Sequence, residues 1–241
     1  QCNRSLVVGV TGGSSTAGKF SWPDKLKDKL ERGLYITVEL RNAAIGSTSQ
    51  LVTAPCIQNL VGDSIDILFW EFAMNDEYEH IRDDKHPFPL RKRVSEIYVR
   101  QAIALNPKLM IFVHLWDLDI HQAFPNGNIA GNDGIPNKAY EPMNLVLRHY
   151  SDIYAKYLSI DIIKSMKDLD LFHHKQEILR DAHHPNDYSY EIISDLVATT
   201  MLNKSARVSL SGLHSSPHPE VAIVSKNTLT FGPNLPIKEG L

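Results

Sequence analysis

The sequence predicts one α/β domain, a three-layer α/β/α sandwich with a central, mainly parallel sheet. Three observations carry that expectation. Short apolar, β-branched runs recur along the chain, each empties into a turn rich in Gly, Ser or Asn, and helix-length stretches separate them. Right-handed crossovers would then bring the carboxyl ends of the strands to one rim, where open α/β sheets keep their chemistry.

The first strand is expected at 5–10 (SLVVGV), running directly into TGGSSTAG. Glycines at Gly12, Gly13 and Gly18 permit a tight bend there that bulky residues would resist. Ser21-Trp22-Pro23 reads as a helix start, with Ser21 or Trp22 near the cap and Pro23 in the first turn. Trp22, Leu26 and Leu30 recur at helical spacing opposite a wet face of Asp24, Lys25, Lys27, Asp28, Lys29 and Glu31, and Gly33 is the expected terminator. A second strand at 35–40 (YITVEL) ends in RNAAIGSTS, and 55–60 should pack helically. The third strand, 66–72 (DILFWEF), delivers Ala73-Met74-Asn75-Asp76.

Residues 77–89 are polar and proline-bearing, a loop or lid before a helix at 90–106. A fourth strand at 109–115 (LMIFVHL) empties into the longest irregular stretch, 116–140, rich in Gly, Asn and Pro. Helical character returns over 143–158 and strand character over 159–163. The last helix, 188–202, is entered through Pro185-Asn186-Asp187, where Asn186 or Asp187 can cap. Residues 1–206 are thus the expected main domain. The extension 207–241, with strand candidates at 221–225 and 228–231, would dock on it or form a small hairpin.

Composition narrows the partners. The 241 residues are 43% hydrophobic with a formal net charge of -3, which argues against global disorder and against long-range attraction to nucleic acid or an acidic bilayer. A small molecule or a mostly neutral polymer is the expected partner. No run is long and apolar enough for an integral membrane segment. The start at Gln1 and the acceptor triplets Asn3-Arg4-Ser5 and Asn203-Lys204-Ser205 fit a glycoprotein of the secretory route. Cys2 and Cys56 are the only cysteines and are expected to form one disulfide, two unpaired thiols being the alternative.

Neither metal nor cofactor is expected. His80, His86 and the pairs His173-His174 and His183-His184 carry no HExxH pattern or thiolate cluster, and adjacent rings on an extended chain point apart. TGGSSTAG is not a phosphate loop either, because Gly18-Lys19 is followed by Phe20 rather than Ser or Thr.

Acyl transfer, by contrast, finds its parts on the expected rim. It needs a hydroxyl nucleophile, a base, an orienter for that base, and donors for the developing oxyanion. Ser14 follows the first strand, the amides near Gly46 follow the second, Asn75 follows the third, and Asp181 and His184 precede the last helix. Spacing alone does not single out Ser14, and the G-x-S-x-G elbow is absent.

Four blocks occur in order: Gly12-Gly13-Ser14-Ser15-Thr16-Ala17-Gly18, Asn42-Ala43-Ala44-Ile45-Gly46-Ser47-Thr48, Ala73-Met74-Asn75-Asp76 and Asp181-Ala182-His183-His184-Pro185. Through them the chain resembles the SGNH, or GDSL-like, hydrolase family of esterases, lipases, thioesterases and carbohydrate deacetylases. The resemblance implies a flavodoxin-like SGNH fold, Ser14 as nucleophile, His184 as base and Asp181 as its orienter. It also implies an oxyanion hole made of the Ser14 amide, an amide from Gly46 or Ser47, and the Asn75 side chain. Asp76 would fix the turn. Three positions depart from the pattern. Gly13 stands where the first block has an acidic residue, Ala73 stands where the third has glycine, and an ungapped comparison puts Ser47 at the oxyanion glycine unless one deletion restores Gly46.

The expected function is therefore a secreted serine esterase, a carboxylic ester hydrolase acting on an acyl or acetyl ester of a small molecule or carbohydrate. A carbohydrate O-acyltransferase, and a binding or structural protein that keeps the fold without effective turnover, are the alternatives. Trp116, Phe124, Tyr140 and His183 are candidate substrate contacts, able to stack on a sugar or line an acyl pocket, although the aromatics could equally anchor the long loops. The oligomeric state is open.

Overall fold

Alternation along the central strands sorts the core into two faces. In β3 (Ile67–Glu71), Ile67 and Phe69 enter one hydrophobic cluster while Leu68 and Trp70 enter another; in β4 (Leu109–His114), Ile111 and Val113 separate from Met110 and Phe112 in the same way. A strand turns successive side chains to opposite faces, so a sheet apolar on both must be covered on both. The computed structural model describes residues 5–73, 75–78, 87–115, 140–150, 157–169, 175–181, 184–210 and 221–222.

The first face is covered by α1 (Trp22–Leu34) and α9 (Asp187–Leu210), whose Trp22, Leu26, Leu30, Ile193, Leu196 and Val197 pack on Val8, Val10 and Phe69. Each large side chain removed from water this way contributes about 1.5–3 kcal/mol before entropy is counted. At their rims the two helices are tied by Lys25 to Glu191 at 2.6 Å, and by Lys29 to Glu191 at 3.0 Å and to Asp195 at 2.8 Å. The second face is covered by α2 (Gln50–Thr53), the 3-10 turn Ala54–Cys56, α3 (Ile57–Val61), α5 (Pro87–Ala104) and α6 (Tyr140–Tyr150). Three short helices complete the described elements: α4 (Asn75–Tyr78), α7 (Ile162–Asp168) and α8 (Lys175–Ile178).

With β1 (Leu6–Gly12), β2 (Val38–Asn42), β5 (Tyr157–Asp161) and β6 (Val221–Ala222), the sheet has the order β2-β1-β3-β4-β5-β6 and every pairing is parallel. The three-layer, flavodoxin-like expectation holds. The chain moves outward from β1 to β2 and then returns to the other side of β1 for β3. That reversal opens a crevice beyond the carboxyl ends of β1 and β3, the usual place for a ligand in such sheets.

Several local expectations need correction. Gly33 does not end α1; the helix continues to Leu34 and Tyr35 takes the left-handed conformation, with φ 54°. Ser21 does occupy the N-cap position, but its hydroxyl donates backward to the carbonyls of Thr16 and Gly18, each at 3.0 Å. The helix expected over 143–158 spans Tyr140–Tyr150 instead, and Tyr157 and Leu158 pair with Met110 and Ile111 as part of β5. Cys56 is a free thiol whose Sγ lies 3.5 Å from the carbonyls of Val52 and Thr53, so the bridge to Cys2 is not formed; Cys2 itself lies outside the described residues. Of the two acceptor positions, Asn203 lies within the span of α9 and Asn3 is outside the described residues.

In the extension, Val221–Ala222 joins the sheet edge in parallel with β5 and α9 runs on to Leu210; the second strand candidate, 228–231, lies outside the described residues. No described helix is long and apolar enough to cross a membrane.

Candidate active site

The turn after β1 is held from three sides. The Gly13 N–H donates to the carbonyl of Glu71 at 3.0 Å, the N–H groups of Thr16 and Ala17 donate back to the Gly13 carbonyl, and Ile45 N–H donates to the Gly12 carbonyl at 3.0 Å. Ser14 therefore sits at the crest of a turn pinned to β3 on one side and to the loop after β2 on the other. Gly12 and Gly13 are required by space. A Cβ on Gly12 would stand 2.7 Å from the Glu71 carbonyl oxygen, and one on Gly13 would stand 2.5 Å from Asn75 Nδ2.

His184 reaches this turn from the far end of the chain. Its loop is closed by the antiparallel bridge between Leu179 and Pro185, by Arg180 N–H donating to the His184 carbonyl at 2.9 Å, and by Asn186 N–H donating to the Ile178 carbonyl at 3.0 Å. Asn186 then caps α9 by accepting from Ser189 N–H at 2.9 Å, one of the two cap positions the sequence offered. His184 Nε2 consequently stands 2.8 Å from Ser14 Oγ, across 170 positions of sequence.

The other ring nitrogen defines the tautomer. His184 Nδ1 lies 2.9 Å from both Asp181 oxygens, and the His184 N–H also donates to Asp181 Oδ1 at 2.9 Å. An ionised carboxylate only accepts, so Nδ1 carries the proton and Nε2 presents its lone pair to the Ser14 hydroxyl. This arrangement can withdraw a proton from Ser14 as its oxygen attacks an electrophile, with Asp181 beside the imidazolium that forms.

Asn75 opens α4 and is 6% exposed; its Nδ2 donates to the Thr48 carbonyl at 2.6 Å. One hydrogen of that amide is committed to Thr48, which orients the group, and the second remains for a ligand. Thr48 is itself placed by its hydroxyl, which donates to the Ile45 carbonyl at 2.7 Å, and by Ser47, which takes φ 56°. A Cβ on Gly46 would stand 3.7 Å from Ser14 Cβ, so the Gly46 backbone flanks the serine while Ser47 makes the bend. Asp76 is buried, and its Oδ1 accepts from Gln50 N–H at 3.0 Å, a bond that ties the start of α4 to the start of α2.

Sequence reasoning passed over the residues beneath the turn. Glu71 Oε2 accepts from Thr16 Oγ1 at 2.7 Å, Thr16 Oγ1 accepts from Trp22 Nε1 at 2.9 Å, and the Thr16 carbonyl accepts from Asn42 Nδ2 at 3.0 Å. A lone carboxylate closing an otherwise apolar strand is the signal that could have found Glu71. Trp116, Phe124 and His183 lie outside the described residues; Tyr140 begins α6.

No family model matches the sequence, and neither does any curated protein. Solved structures do match. A two-domain esterase active on acetylated mannans superposes with TM-score 0.60 at 18% identity over 91% of this chain. This chain spans 54% of that esterase's length. An acetylxylan esterase from Geobacillus stearothermophilus matches with TM-score 0.60 at 13% identity, over 80% of this chain and 92% of the esterase. An α/β hydrolase from the metagenome of Lake Arreo, Spain, matches with TM-score 0.60 at 16% identity, over 80% of this chain and 93% of the other. At such identities the likeness establishes the shared fold.

Proposed function

We propose that the protein is a serine esterase of the SGNH type that hydrolyses a short acyl ester, with acetyl groups on a carbohydrate as the favoured substrate class. The observation that carries this reading is the contact of 2.8 Å between His184 Nε2 and Ser14 Oγ, backed by Asp181 at 2.9 Å. Ser14 attacks the ester carbonyl carbon, His184 takes the hydroxyl proton, and Asp181 stabilises the imidazolium. His184 then returns the proton to the departing alcohol, and water repeats the sequence to release the acid. The amides of Ser14 and Gly46 or Ser47, with the free hydrogen of Asn75 Nδ2, receive the charge on the carbonyl oxygen. The preference for acetylated carbohydrate is supported by the likeness in fold to an esterase active on acetylated mannans and to an acetylxylan esterase. A secretory setting belongs to the same proposal, on the support of the acceptor triplets at Asn3 and Asn203.

The test is a panel of short-acyl, long-acyl and acetylated-sugar substrates, run beside covalent labelling by an active-site phosphonate. Turnover of the acetyl esters together with phosphonate attached at Ser14 is the expected result. A folded protein that neither turns over any ester nor takes the label is a binding or structural use of the fold.

Two substitutions probe the oxyanion side. Asn75→Ala removes one preorganised donor and is expected to lower kcat by about 10²–10³-fold with the fold retained. Near-normal turnover removes Asn75 from the mechanism. Gly13→Ala places a methyl group where the Asn75 amide lies, with its carbon 2.5 Å from Nδ2 and 2.7 Å from Cγ, so the amide must move. Its expected loss in kcat is also about 10²-fold. Because Asn75→Ala vacates that space, adding Gly13→Ala to it should cost little more, and a steady-state cycle of the four proteins reads the difference.

A further inference from the structure

We propose that Glu71 is a positioning residue of this site, its side-chain carboxyl holding the nucleophile turn from the strand beneath; the inference rests on the ester-hydrolase reading. Glu71 ends β3, pairs in register with Gly12 and is 1% exposed. It grips the turn on both sides of Ser14. Its carbonyl accepts from the Gly13 N–H at 3.0 Å, and its Oε2 accepts from the Thr16 hydroxyl at 2.7 Å.

The direction of that second bond is forced. Trp22 Nε1 can only donate, and it donates to Thr16 Oγ1 at 2.9 Å, so the single hydroxyl proton of Thr16 is directed to Glu71. Glu71 Oε1, the other oxygen, is buried and has no hydrogen-bond partner among the described residues. An ionised carboxylate with one oxygen unsolvated is costly, whereas a neutral acid places its proton there. Burial, with a smaller push from the Asp76 charge, outweighs the opposing bonds from Thr16 and Gly13 and holds the carboxyl up at about 8. Tyr190 of α9 also interacts with it electrostatically, and His184 bears on the same turn through Ser14.

Two consequences follow from a folded-state value above the ordinary one. Between the ordinary carboxyl range and about pH 8 the unfolded chain has released the proton that the folded protein keeps, so stability falls as pH rises through that window and levels off above it. Above about pH 8 the charge forms inside the fold with Oε1 unpartnered, and the rearrangement that hydrates this oxygen displaces the turn that carries Ser14. Gln at this position keeps an acceptor for Thr16 and cannot ionise.

The experiment follows kcat and KM of the full chain on p-nitrophenyl acetate from neutral to alkaline pH for wild type, Glu71→Ala, Glu71→Gln and Ser14→Ala. Glu71→Ala is expected to lower kcat by about a hundredfold with little change in KM, as misplacement of a reacting group does. Glu71→Gln is expected to rescue most of that loss and to lack the alkaline fall that wild type shows near about pH 8. Wild-type kcat in Glu71→Ala, or an unchanged alkaline fall in Glu71→Gln, overturns the positioning role; if the alanine variant does not fold, the pH profile of the glutamine variant decides alone. A wild type no faster than Ser14→Ala overturns the hydrolase reading and this inference with it, whereas active wild type with both Glu71 variants matching it overturns the inference only.

Discussion

Ser14→Ala is expected to lower kcat/KM on an acetyl ester by about 10⁴–10⁶-fold while leaving thermal unfolding unchanged. The deletion removes one oxygen whose hydrogen-bond partner is His184 Nε2, at 2.8 Å, so nothing in the core is exposed or left unsatisfied. His184→Ala is expected to cost about the same, because a hydroxyl without its base is as inactive as a base without its hydroxyl. The informative protein is the double variant. Two groups acting as one relay lose their function once, so Ser14→Ala/His184→Ala should be no slower than either single variant. Independent contributions would multiply. A double variant slower by the product of the two losses therefore rejects the relay even if both single variants are impaired, and the phosphonate label separates them further, since His184→Ala retains the Ser14 oxygen.

The pairing of distant blocks was legible because strand polarity constrains it. Once β1, β3 and β4 are recognised as apolar runs joined by helices, parallel packing sends their carboxyl ends to one rim, and Ser14 and Asn75 must share it. The placement of His184 needed the motif resemblance, since periodicity says nothing about where a loop before a helix folds back. Gly13 was read from its sequence as a tight-bend glycine standing where the resemblance has an acidic residue. Its physical reason is the Asn75 amide, which occupies the space a side chain would need. That is a contact between residues that follow different strands, and a sequence window around either one does not contain it.

Other misses share that origin. Tyr157 and Leu158 fit the helical spacing of the preceding stretch, and only pairing with Met110 and Ile111 makes them a strand. Tyr35 adopts the left-handed conformation with glycine two positions away, where propensity puts the glycine itself. Glu71 was absorbed into a largely apolar run, although a carboxyl group inside a sheet covered on both faces must be neutral or paired. Cys56 was assigned a partner from an even cysteine count, and the thiol instead faces the carbonyls of Val52 and Thr53 in its own turn.

Asp181→Asn is expected to lower kcat by about 10²–10⁴-fold with KM little changed, the upper figure being the cost of the same exchange in a serine protease triad. The carboxylate places two acceptors at 2.9 Å from His184 Nδ1 and a third bond on the His184 N–H, so both the ring and its backbone are aligned by one group. An amide keeps the shape but offers a donor on one side. If its NH₂ faces Nδ1, the ring proton shifts to Nε2, and the nitrogen facing Ser14 becomes a donor that cannot accept the hydroxyl proton. Solvent moderates the loss, because the Asp181 side chain is 45% exposed and water can reach the same nitrogen. Asp181→Ala separates tautomer from charge: it removes the carboxylate without supplying a competing donor, lets water hydrate Nδ1, and should be less impaired than Asp181→Asn. The comparison is made on kcat at fixed pH. Wild-type turnover in the asparagine variant excludes Asp181 as the orienter of His184, and an alanine variant slower than the asparagine one places the effect in charge rather than in the tautomer.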